Sequence, residues 1–297
     1  MTRILLTGSG MVASALASEA HRRGHNVQAL PHSEVDMRDL PLLRRRVTEF
    51  RPDWIVHTAA LTKVDYCQEN PREAVEVNTA ATKTIVDLAQ QLMARVLYFS
   101  TDYVFDGSQH LWYESSPTQP LNIYGASKLE GEIIVRKFFR GHVIRTSGVF
   151  GERLDGKTER NFFRAIASRY LETEGPISVV NDQHTAVSYA PHLANMTLQL
   201  MLEQQFPKIV HLTSKGFESW YGWAKLALES ACLDSDRLVP VSCEKVSFRT
   251  PRPRNSRLTS EIPEVISLIA LHPARQAVEQ YFGKVLNELH EEAGIRE

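Results

Sequence analysis

Short apolar runs alternate with stretches of helical periodicity along the first half of the chain. Consecutive apolar residues indicate buried strands, and apolar residues three or four positions apart indicate helices that cover a sheet. Strands are predicted at residues 4–7, 26–30, 54–58, 96–99 and 143–145, and helices at residues 40–50, 71–92 and 122–139, with an earlier one that ends near Gly24. This alternation predicts an α/β fold with a parallel sheet and right-handed crossovers.

The regularity weakens after Gly151. Helices are predicted at residues 161–170, 193–202, 220–230 and 273–292, strands at 177–180 and 209–212, and a charged loop at 155–160. We expect the strand at 209–212 to rejoin the main sheet. The length of 297 residues suits one large domain with a smaller lobe. The predicted division is a first domain of residues 1–151, rejoined by about residues 186–215, and a smaller C-terminal α/β lobe of residues 152–185 and 216–297.

The first strand ends in a glycine turn that leads into a helix. Gly8, Gly10 and Ala13 form the pattern GxGxxA, which is the dinucleotide-binding fingerprint with alanine in third place. Gly8 permits the tight turn, Gly10 lets the backbone approach a pyrophosphate, and Ala13 allows close packing of helix on strand. Met11 and Val12 belong to the helix N-terminus, whose positive dipole end favours phosphates. The fold is therefore expected to be a doubly wound Rossmann-type sheet that binds NAD(P).

Residues after the next two strands extend the candidate cofactor site. The second strand ends in Pro31, His32 and Ser33, without the carboxylate that NAD-preferring enzymes use for the ribose hydroxyls. His32 and Ser33 can donate to a ribose phosphate, so NADP(H) is slightly preferred over NAD(H), although both can equally be plain loop residues. The other candidate cofactor residues are Asp36 and Met37 beside the adenine, Ala59, Ala60 and Thr62 after the third strand, and Asn78 on helix 71–92.

Composition excludes several classes of function. Hydrophobic residues make up 43% of the chain and charged residues 23%, as in ordinary globular proteins, and the net charge is −1. We therefore expect neither a nucleic-acid polymer nor a membrane as partner. No signal peptide is indicated, and the three cysteines show no CxxC spacing, so reduced thiols in the cytoplasm are expected.

Three groups between residues 95 and 128 suit redox chemistry. The strand at 96–99 leads to the hydroxyl of Thr101 near its carboxyl end, and Tyr124 and Lys128 share one face of the helix that follows. A free phenol has a pKa of about 10, and we expect the ammonium one turn away to lower it. Thr101 can orient a carbonyl, Tyr124 can exchange its proton, and Lys128 can hold a ribose diol, so the three are candidate catalytic residues for hydride transfer.

With these motifs the chain resembles an extended short-chain dehydrogenase/reductase, and more narrowly the dTDP-4-dehydrorhamnose reductase family. The resemblance covers nearly the whole chain and is most specific at residues 100–107. The other segments that match the family pattern are the glycine turn, residues 59–65, Asn78, residues 120–132, Arg145-Thr146-Ser147, Asn161-Phe162, Asp182-Gln183, residues 219–221 and residues 252–256.

The resemblance implies a reaction and a substrate site. The implied reaction is reduction of the 4-keto group of a nucleotide-linked 6-deoxyhexose, with Thr101, Tyr124 and Lys128 as the catalytic triad. The smaller lobe is the implied substrate-binding lobe. The residues implied to bind the nucleotide sugar are Asp102, Tyr103, Gly148, Asn161, Trp220, Arg252 and Asn255. The arginine suits a diphosphate, since a guanidinium binds phosphate oxygens well.

Four departures from the family pattern bear on these expectations. The glycine turn is one residue shorter than usual and ends in Ala13. Gly148 replaces a tryptophan of the sugar pocket, which puts rhamnose specificity in doubt. Ala15 replaces a glutamate that bridges some dimers through magnesium, so no metal is predicted. The usual glycine and proline near Gln183 are also missing.

Two further functions stay open at this point. A nucleotide-sugar epimerase, or a combined epimerase and reductase, would need an additional acid–base pair, and no Cys–His pair is visible at the expected strand ends. A non-catalytic regulatory subunit like that of methionine adenosyltransferase shares the fold and many of the motifs. The oligomeric state, monomer or homodimer, is also open.

Overall fold

Six parallel strands form the central sheet of the computed structural model, which describes residues 1–153, 161–202, 206–246 and 248–292. The strands in these ranges are β1 (Arg3–Thr7), β2 (Asn26–Leu30), β3 (Trp54–His57), β4 (Arg95–Thr101), β5 (Gly141–Thr146), β6 (Val149–Phe150), β7 (Ile177–Val180), β8 (His184–Ala186), β9 (Ser188–Tyr189), β10 (Ile209–His211), β11 (Phe217–Ser219), β12 (Leu238–Val241) and β13 (Asn255–Ser256). The central order is β10-β5-β4-β3-β1-β2, and every neighbouring pair in it is parallel.

Helices cover both faces of this sheet. The described helices are α1 (Met11–Arg22), α2 (Leu40–Phe50), α3 (Val64–Glu69), α4 (Pro71–Val75), α5 (Ala81–Leu92), α6 (Ile123–Lys137), α7 (Phe162–Glu172), α8 (Ala190–Leu202), α9 (Trp220–Ser230), α10 (Pro263–Ala270) and α11 (Ala274–Glu292). A π-helical turn, Glu76–Ala80, joins α4 to α5. The helix predicted at 71–92 is thus one nearly continuous run with a local change of pitch.

The strands are apolar on both sides because each side meets a different set of helices. Leu6 and Leu97 pack with residues of α1 and α8, whereas Leu5 and Tyr98 pack with residues of α2, α5 and α6. Two separate hydrophobic clusters therefore enclose the sheet, as a doubly wound fold requires. A third cluster, with Phe163, Trp223 and Phe282 among its largest members, forms the core of the second half.

The strand order changes direction at β1, since β2 lies on one side of it and β3 on the other. Open α/β sheets bind ligands at the carboxyl ends of the strands beside such a point. The glycine turn directly follows β1, and Ala59 and Ala60 follow β3. These predicted cofactor residues are thereby brought to one edge of the sheet.

Most predicted elements of the second half are present in the structure. The strand at 209–212 appears as β10 and pairs with β5, which confirms that it rejoins the main sheet. β13 pairs with β8. Helix α10 and the strands β6, β8, β9, β11, β12 and β13 were not predicted. The charged loop predicted at 155–160 lies outside the described residues. None of the helices in the described ranges has the length and apolar character that a membrane span requires.

Candidate active site

A cavity of about 660 Å³ opens at the carboxyl ends of β1, β3, β4 and β5. This volume is typical of small-molecule and cofactor sites. The predicted site residues that line it are Gly8, Gly10, Met11, Val12, His32, Asp36, Met37, Ala59, Ala60, Thr62, Thr101, Asp102, Tyr124 and Gly148. One cavity therefore connects the glycine turn to the hydroxyl of Thr101 and the phenol of Tyr124.

The glycine turn is tight and closely packed. Gly8 has φ +87°, and its N–H donates to the carbonyl of Leu30 at 2.8 Å. A Cβ atom on Gly8 would lie 3.3 Å from the Cα atom of Ala59, so two small residues let two strand ends approach each other. α1 begins directly after Gly10, and its N-terminus is at the cavity wall. The turn therefore fits a dinucleotide phosphate group.

Thr101 and Tyr124 form the chemical centre of the cavity. Both residues line the cavity, and the Thr101 hydroxyl donates to Asp102 Oδ1 at 3.0 Å. Burial raises the pKa of the Tyr124 phenol, and the hydrogen bond with Thr101 lowers it in part. Burial also raises the pKa of Asp102 to about 6, against hydrogen bonds with Ser256 and Thr101. The phenol is thus a protonated group at neutral pH, suited to donate a proton.

Lys128 lies behind the cavity wall. It is almost fully buried, and its Nζ atom lies 4.0 Å from the ring centroid of Tyr98. Burial lowers the pKa of Lys128 to about 7, while the charge of Glu132 acts in the opposite direction. Our expectation that this ammonium lowers the pKa of Tyr124 is wrong for this structure, because burial of the phenol is the largest effect and raises its pKa.

Asn78 and Ser33, which were predicted to bind the cofactor, are not among the described residues that line the cavity. Ser33 is exposed on the loop after β2. Asn78 is buried and supports the lining residue Leu61. Its Oδ1 accepts from the N–H of Leu61 at 2.8 Å, and its Nδ2 donates to the carbonyl of Leu61 and to the hydroxyl of Ser127. Asn78 therefore positions the backbone that follows β3.

His57, a buried histidine that the sequence analysis missed, connects Asn78 to the glycine turn through hydrogen bonds. The Thr7 hydroxyl accepts from the N–H groups of Thr58 and Ala59, so its own proton is directed to His57 Nδ1 at 2.6 Å. His57 Nε2 then donates to the hydroxyl of Thr82, which donates to the carbonyl of Asn78. Burial lowers the pKa of His57 to about 3, with the charge of Lys128 as a second cause. His57 is therefore a neutral structural bridge.

The end of the cavity nearest β2 contains a cation that was not predicted. Arg38 lines the cavity beside His32 and Asp36. Its guanidinium forms ion pairs with Asp36 at 2.6 Å and with Glu73 at 3.2 Å. The hydrogen bond from Arg38 lowers the pKa of Asp36 to about 2. A guanidinium paired with two carboxylates thus lies where the loop after β2 meets the cavity.

Of the seven predicted substrate residues, Asp102 and Gly148 line the cavity, Tyr103 packs on Tyr124, and Arg252 acts on Tyr103 through its charge. Gly148 has φ +50°, and a Cβ atom there would lie 2.9 Å from the carbonyl oxygen of Ala186. The ring of Tyr103 lies 5.7 Å from that of Tyr124. Arg252 donates to Asp65 Oδ2 at 3.1 Å, and its charge is among those that act on Tyr103.

The other three predicted substrate residues have contacts outside the lining of this cavity. Asn161 accepts from the N–H of Arg164 as the N-cap of α7 and donates to the Tyr281 hydroxyl at 2.6 Å. Trp220 begins α9 and packs on Phe162, with ring centroids 4.5 Å apart. Asn255 donates to the carbonyls of Gln109 and His110. Across the described ranges, no three His, Cys, Asp or Glu side chains are grouped so that they could hold a metal ion.

The fold and the cavity define a class of protein. A doubly wound parallel sheet, a glycine turn after its first strand, and a hydroxyl–phenol pair at the strand ends are the features of an NAD(P)-dependent oxidoreductase of the short-chain dehydrogenase/reductase type. The family model described as the RmlD substrate binding domain matches residues 1–287, and the chain belongs to that family.

The relatives with the same kind of name agree with this assignment. The spore coat polysaccharide biosynthesis protein SpsK of Bacillus subtilis is 30% identical over 284 residues, which cover 95% of this chain and 97% of that protein. A dTDP-4-dehydrorhamnose reductase of Mycolicibacterium smegmatis is 31% identical over 290 residues, which cover 96% of this chain and 86% of that protein. The crystal structure of dTDP-4-dehydrorhamnose reductase from Bacillus anthracis in complex with NADP superimposes with a TM-score of 0.84 at 27% identity, covering 95% and 99% of the two chains.

These matches confirm the predicted family, the predicted α/β fold and the prediction that the chain is an NAD(P)-dependent oxidoreductase. The roles assigned to individual site residues stay predictions.

Proposed function

We propose that this enzyme reduces the 4-keto group of a dTDP-linked 4-dehydro-6-deoxyhexose. The observation that carries the proposal is that Thr101 and Tyr124 line the same cavity as the glycine turn. A hydroxyl and a protonated phenol at one point can hold and protonate one carbonyl oxygen. The nucleotide and the sugar class are supported by similarity to the dTDP-4-dehydrorhamnose reductases.

Tyr124 acts as the general acid in this proposal. The bound reduced nicotinamide supplies the hydride. When the carbonyl is bound, the Thr101 hydroxyl turns its proton from Asp102 to the carbonyl oxygen and orients it, and Tyr124 gives its own proton to that oxygen as negative charge develops there. The buried position of the phenol supports this role, because a raised pKa keeps the proton on Tyr124 until the oxygen becomes more basic.

Lys128 assists from behind the wall. We propose that its ammonium binds the nicotinamide ribose and stabilises the phenolate that remains after proton transfer. A pKa of about 7 leaves the amine partly neutral at neutral pH. The nearby phenolate would favour the charged form, so proton transfer from Tyr124 and protonation of Lys128 would support each other.

We further propose that NADPH is preferred over NADH, with Arg38 as the residue that binds the 2′-phosphate. His32 lies at the same end of the cavity and can donate a second hydrogen bond. The opposing candidate is that the carboxylates of Asp36 and Glu73 accept from ribose hydroxyls, which would favour NADH. The variant Arg38→Ala distinguishes the two, because only a 2′-phosphate role makes NADPH binding about tenfold weaker while NADH binding is kept.

The particular sugar depends on the wall at Gly148. Its left-handed backbone and the proximity of Ala186 leave no room for a large side chain without a backbone shift. We therefore propose that the pocket binds a 4-keto-6-deoxy sugar without an aromatic side chain at this position. The sugar need not be the rhamnose precursor.

We infer that the enzyme works in the cytoplasm, and its three unpaired cysteines support this compartment. We also infer that it is a monomer or a homodimer.

One experiment tests the reaction. The purified protein is mixed with NADPH or NADH and a set of dTDP-linked 4-keto-6-deoxy sugars, and absorbance of the reduced cofactor is followed. Tyr124→Phe and Thr101→Val are expected to lower kcat by at least about a hundredfold. Tyr113→Phe is the matched control, since Tyr113 is partly exposed and is not among the described lining residues.

Tight cofactor binding without turnover of any sugar would overturn the proposal and favour a regulatory role. Equal activity in the Tyr124→Phe variant and the parent would remove the phenol from the mechanism. Return of a C3 or C5 epimer without cofactor consumption would favour an epimerase.

A further inference from the structure

Arg153 is a second cation in the cavity lining that the sequence did not point to. It follows β6, in the second half of the chain, yet its side chain reaches the glycine turn of the first half. The Nη2 atom of Arg153 donates to Ser9 Oγ at 3.1 Å. Ser9 lies between Gly8 and Gly10, and Arg153 lines the same cavity as all three. A positive charge is thus delivered to the turn that faces the phosphates of a dinucleotide.

The backbone conformation before Arg153 directs its side chain towards the glycine turn. Gly151 has φ +144°, a conformation that other residues rarely adopt, and a Cβ atom there would lie 3.1 Å from the Cβ atom of Ala190. Glu152 forms an ion pair with Lys284 of α11. Two consecutive residues of opposite charge therefore contact opposite halves of the molecule, Glu152 the C-terminal helix and Arg153 the glycine turn.

We propose that Arg153 binds the pyrophosphate of the nicotinamide dinucleotide, and so connects the second half of the chain to the bound cofactor. A guanidinium presents several N–H donors in one plane, and phosphate oxygens accept them more strongly than a neutral hydroxyl does. The contact with Ser9 places the guanidinium beside the glycine turn, within reach of phosphate oxygens bound there.

The proposal rests on dinucleotide binding but not on the reduction of any sugar. The pyrophosphate is common to NADH and NADPH, so the effect of Arg153 is independent of the 2′-phosphate. It is thereby distinct from the role proposed for Arg38.

Cofactor binding to the full chain tests it. Dissociation constants are measured by calorimetric titration with NADH, NADPH and ADP, which has the two phosphates but no nicotinamide. Arg153→Ala is expected to weaken all three ligands by about tenfold, and by less as ionic strength rises. Arg153→Lys should retain part of the affinity, because a point charge replaces a fork of donors. Arg275→Ala removes a charge from the exposed start of α11 and should leave each constant within twofold.

Ser9→Ala separates phosphate binding from a merely structural contact. It removes the acceptor of the arginine but leaves the guanidinium, so affinity should stay within about threefold of the parent. The proposal is overturned if Ser9→Ala weakens binding as much as Arg153→Ala does, since the arginine would then only shape the turn. It is also overturned if the loss is confined to NADPH, or if Arg275→Ala reproduces it. Because the readout is binding, an absence of sugar reduction would count against the proposed reaction and leave this result intact.

Discussion

The ammonium of Lys128 lies 4.0 Å from the ring centroid of Tyr98, in a part of the core that is nearly closed to water. Lys128 is 3% exposed and Tyr98 is fully buried. The burial lowers the pKa of Lys128 to about 7, which means that the surroundings favour the neutral amine. A lysine in such a place costs folding free energy, which fits the catalytic role proposed for it.

Lys128→Met is therefore expected to stabilise the fold at pH 7, by about 2 kcal/mol, while reduction is lost. The folded-state pKa of about 7 is below the unfolded value of 10.5, so between these values the unfolded chain binds more protons and the parent gains stability as pH rises. The cation–π contact with Tyr98 offsets part of the gain.

Urea unfolding at pH 7 and about pH 10 measures this difference, which should shrink at the higher pH. Lys137→Met, on the exposed last turn of the same helix, should change stability by less than about 0.5 kcal/mol. A Lys128→Met protein that is less stable than the parent at pH 7 would show that the cation–π contact outweighs the burial of the charge.

Gly8→Ala is expected to weaken cofactor binding, whereas Gly24→Ala is not. Both glycines have positive φ, +87° and +77°, so each substitution costs about 1 kcal/mol in backbone strain. Only Gly8 is also crowded, by Ala59, while a Cβ atom on Gly24 meets nothing within 4 Å. Thermal unfolding of both variants measures the cost of backbone strain, and NADPH titration measures the effect of the crowding at Gly8 on cofactor binding. Similar NADPH affinities for the two variants would contradict the role of Gly8 in the site.

Gly125→Ala is expected to lower kcat and stability together. A Cβ atom on Gly125 would overlap the backbone carbonyl of Tyr103, so either α6 or the loop after β4 must move. The Tyr103–Tyr124 ring contact would change, and overpacking of this kind costs about 1–3 kcal/mol. Gly283→Ala, in α11 with nothing within 4 Å of its Cβ, should instead stabilise by up to about 1 kcal/mol. Steady-state kinetics and urea unfolding of both variants decide this, and a Gly125→Ala enzyme with parental kcat would refute it.

Arg145→Met is expected to destabilise the protein by about 3–5 kcal/mol, because it leaves the carboxylate of Glu132 buried without its partner. The two side chains are 2% and 0% exposed and are joined by two hydrogen bonds, 2.9 and 2.7 Å long. Replacing both residues by methionine should recover most of the loss. Arg72→Met, which breaks an exposed ion pair with Glu76, is the control and should cost less than about 1 kcal/mol. A double variant as unstable as Arg145→Met would mean that Arg145 acts mainly through its other contacts, with His211 and Glu114.

Elements with a clear period could be predicted almost to the residue. The bounds of α2, β7 and α9 agree with the prediction, and each of these elements has a polar residue next to at least one end. β6, β9 and β13 have two residues each, too few to show any period. α10 was missed because its apolar residues occur in adjacent pairs, which fit a strand and a helix equally well.

The structure brings the predicted site residues together most completely where they are close together in the sequence. The glycine turn and the residues after β3 line one cavity, as expected from strand ends in a parallel sheet. Arg153 was missed because it is 144 positions from Ser9, and no local pattern connects them. Asn161 and Asn255 were included on resemblance alone, and their side-chain hydrogen bonds support α7 and the loop after β4.

Local geometry is readable from the chain because it depends on neighbours in sequence. The spacing of Tyr124 and Lys128 places them on one helix face, and the glycines after β1 permit one kind of turn. The protonation of these groups depends instead on burial and on distant charges. The Tyr124 phenol has a raised pKa and Lys128 a lowered one because the fold removes both from water, and that depends on segments far away in the sequence.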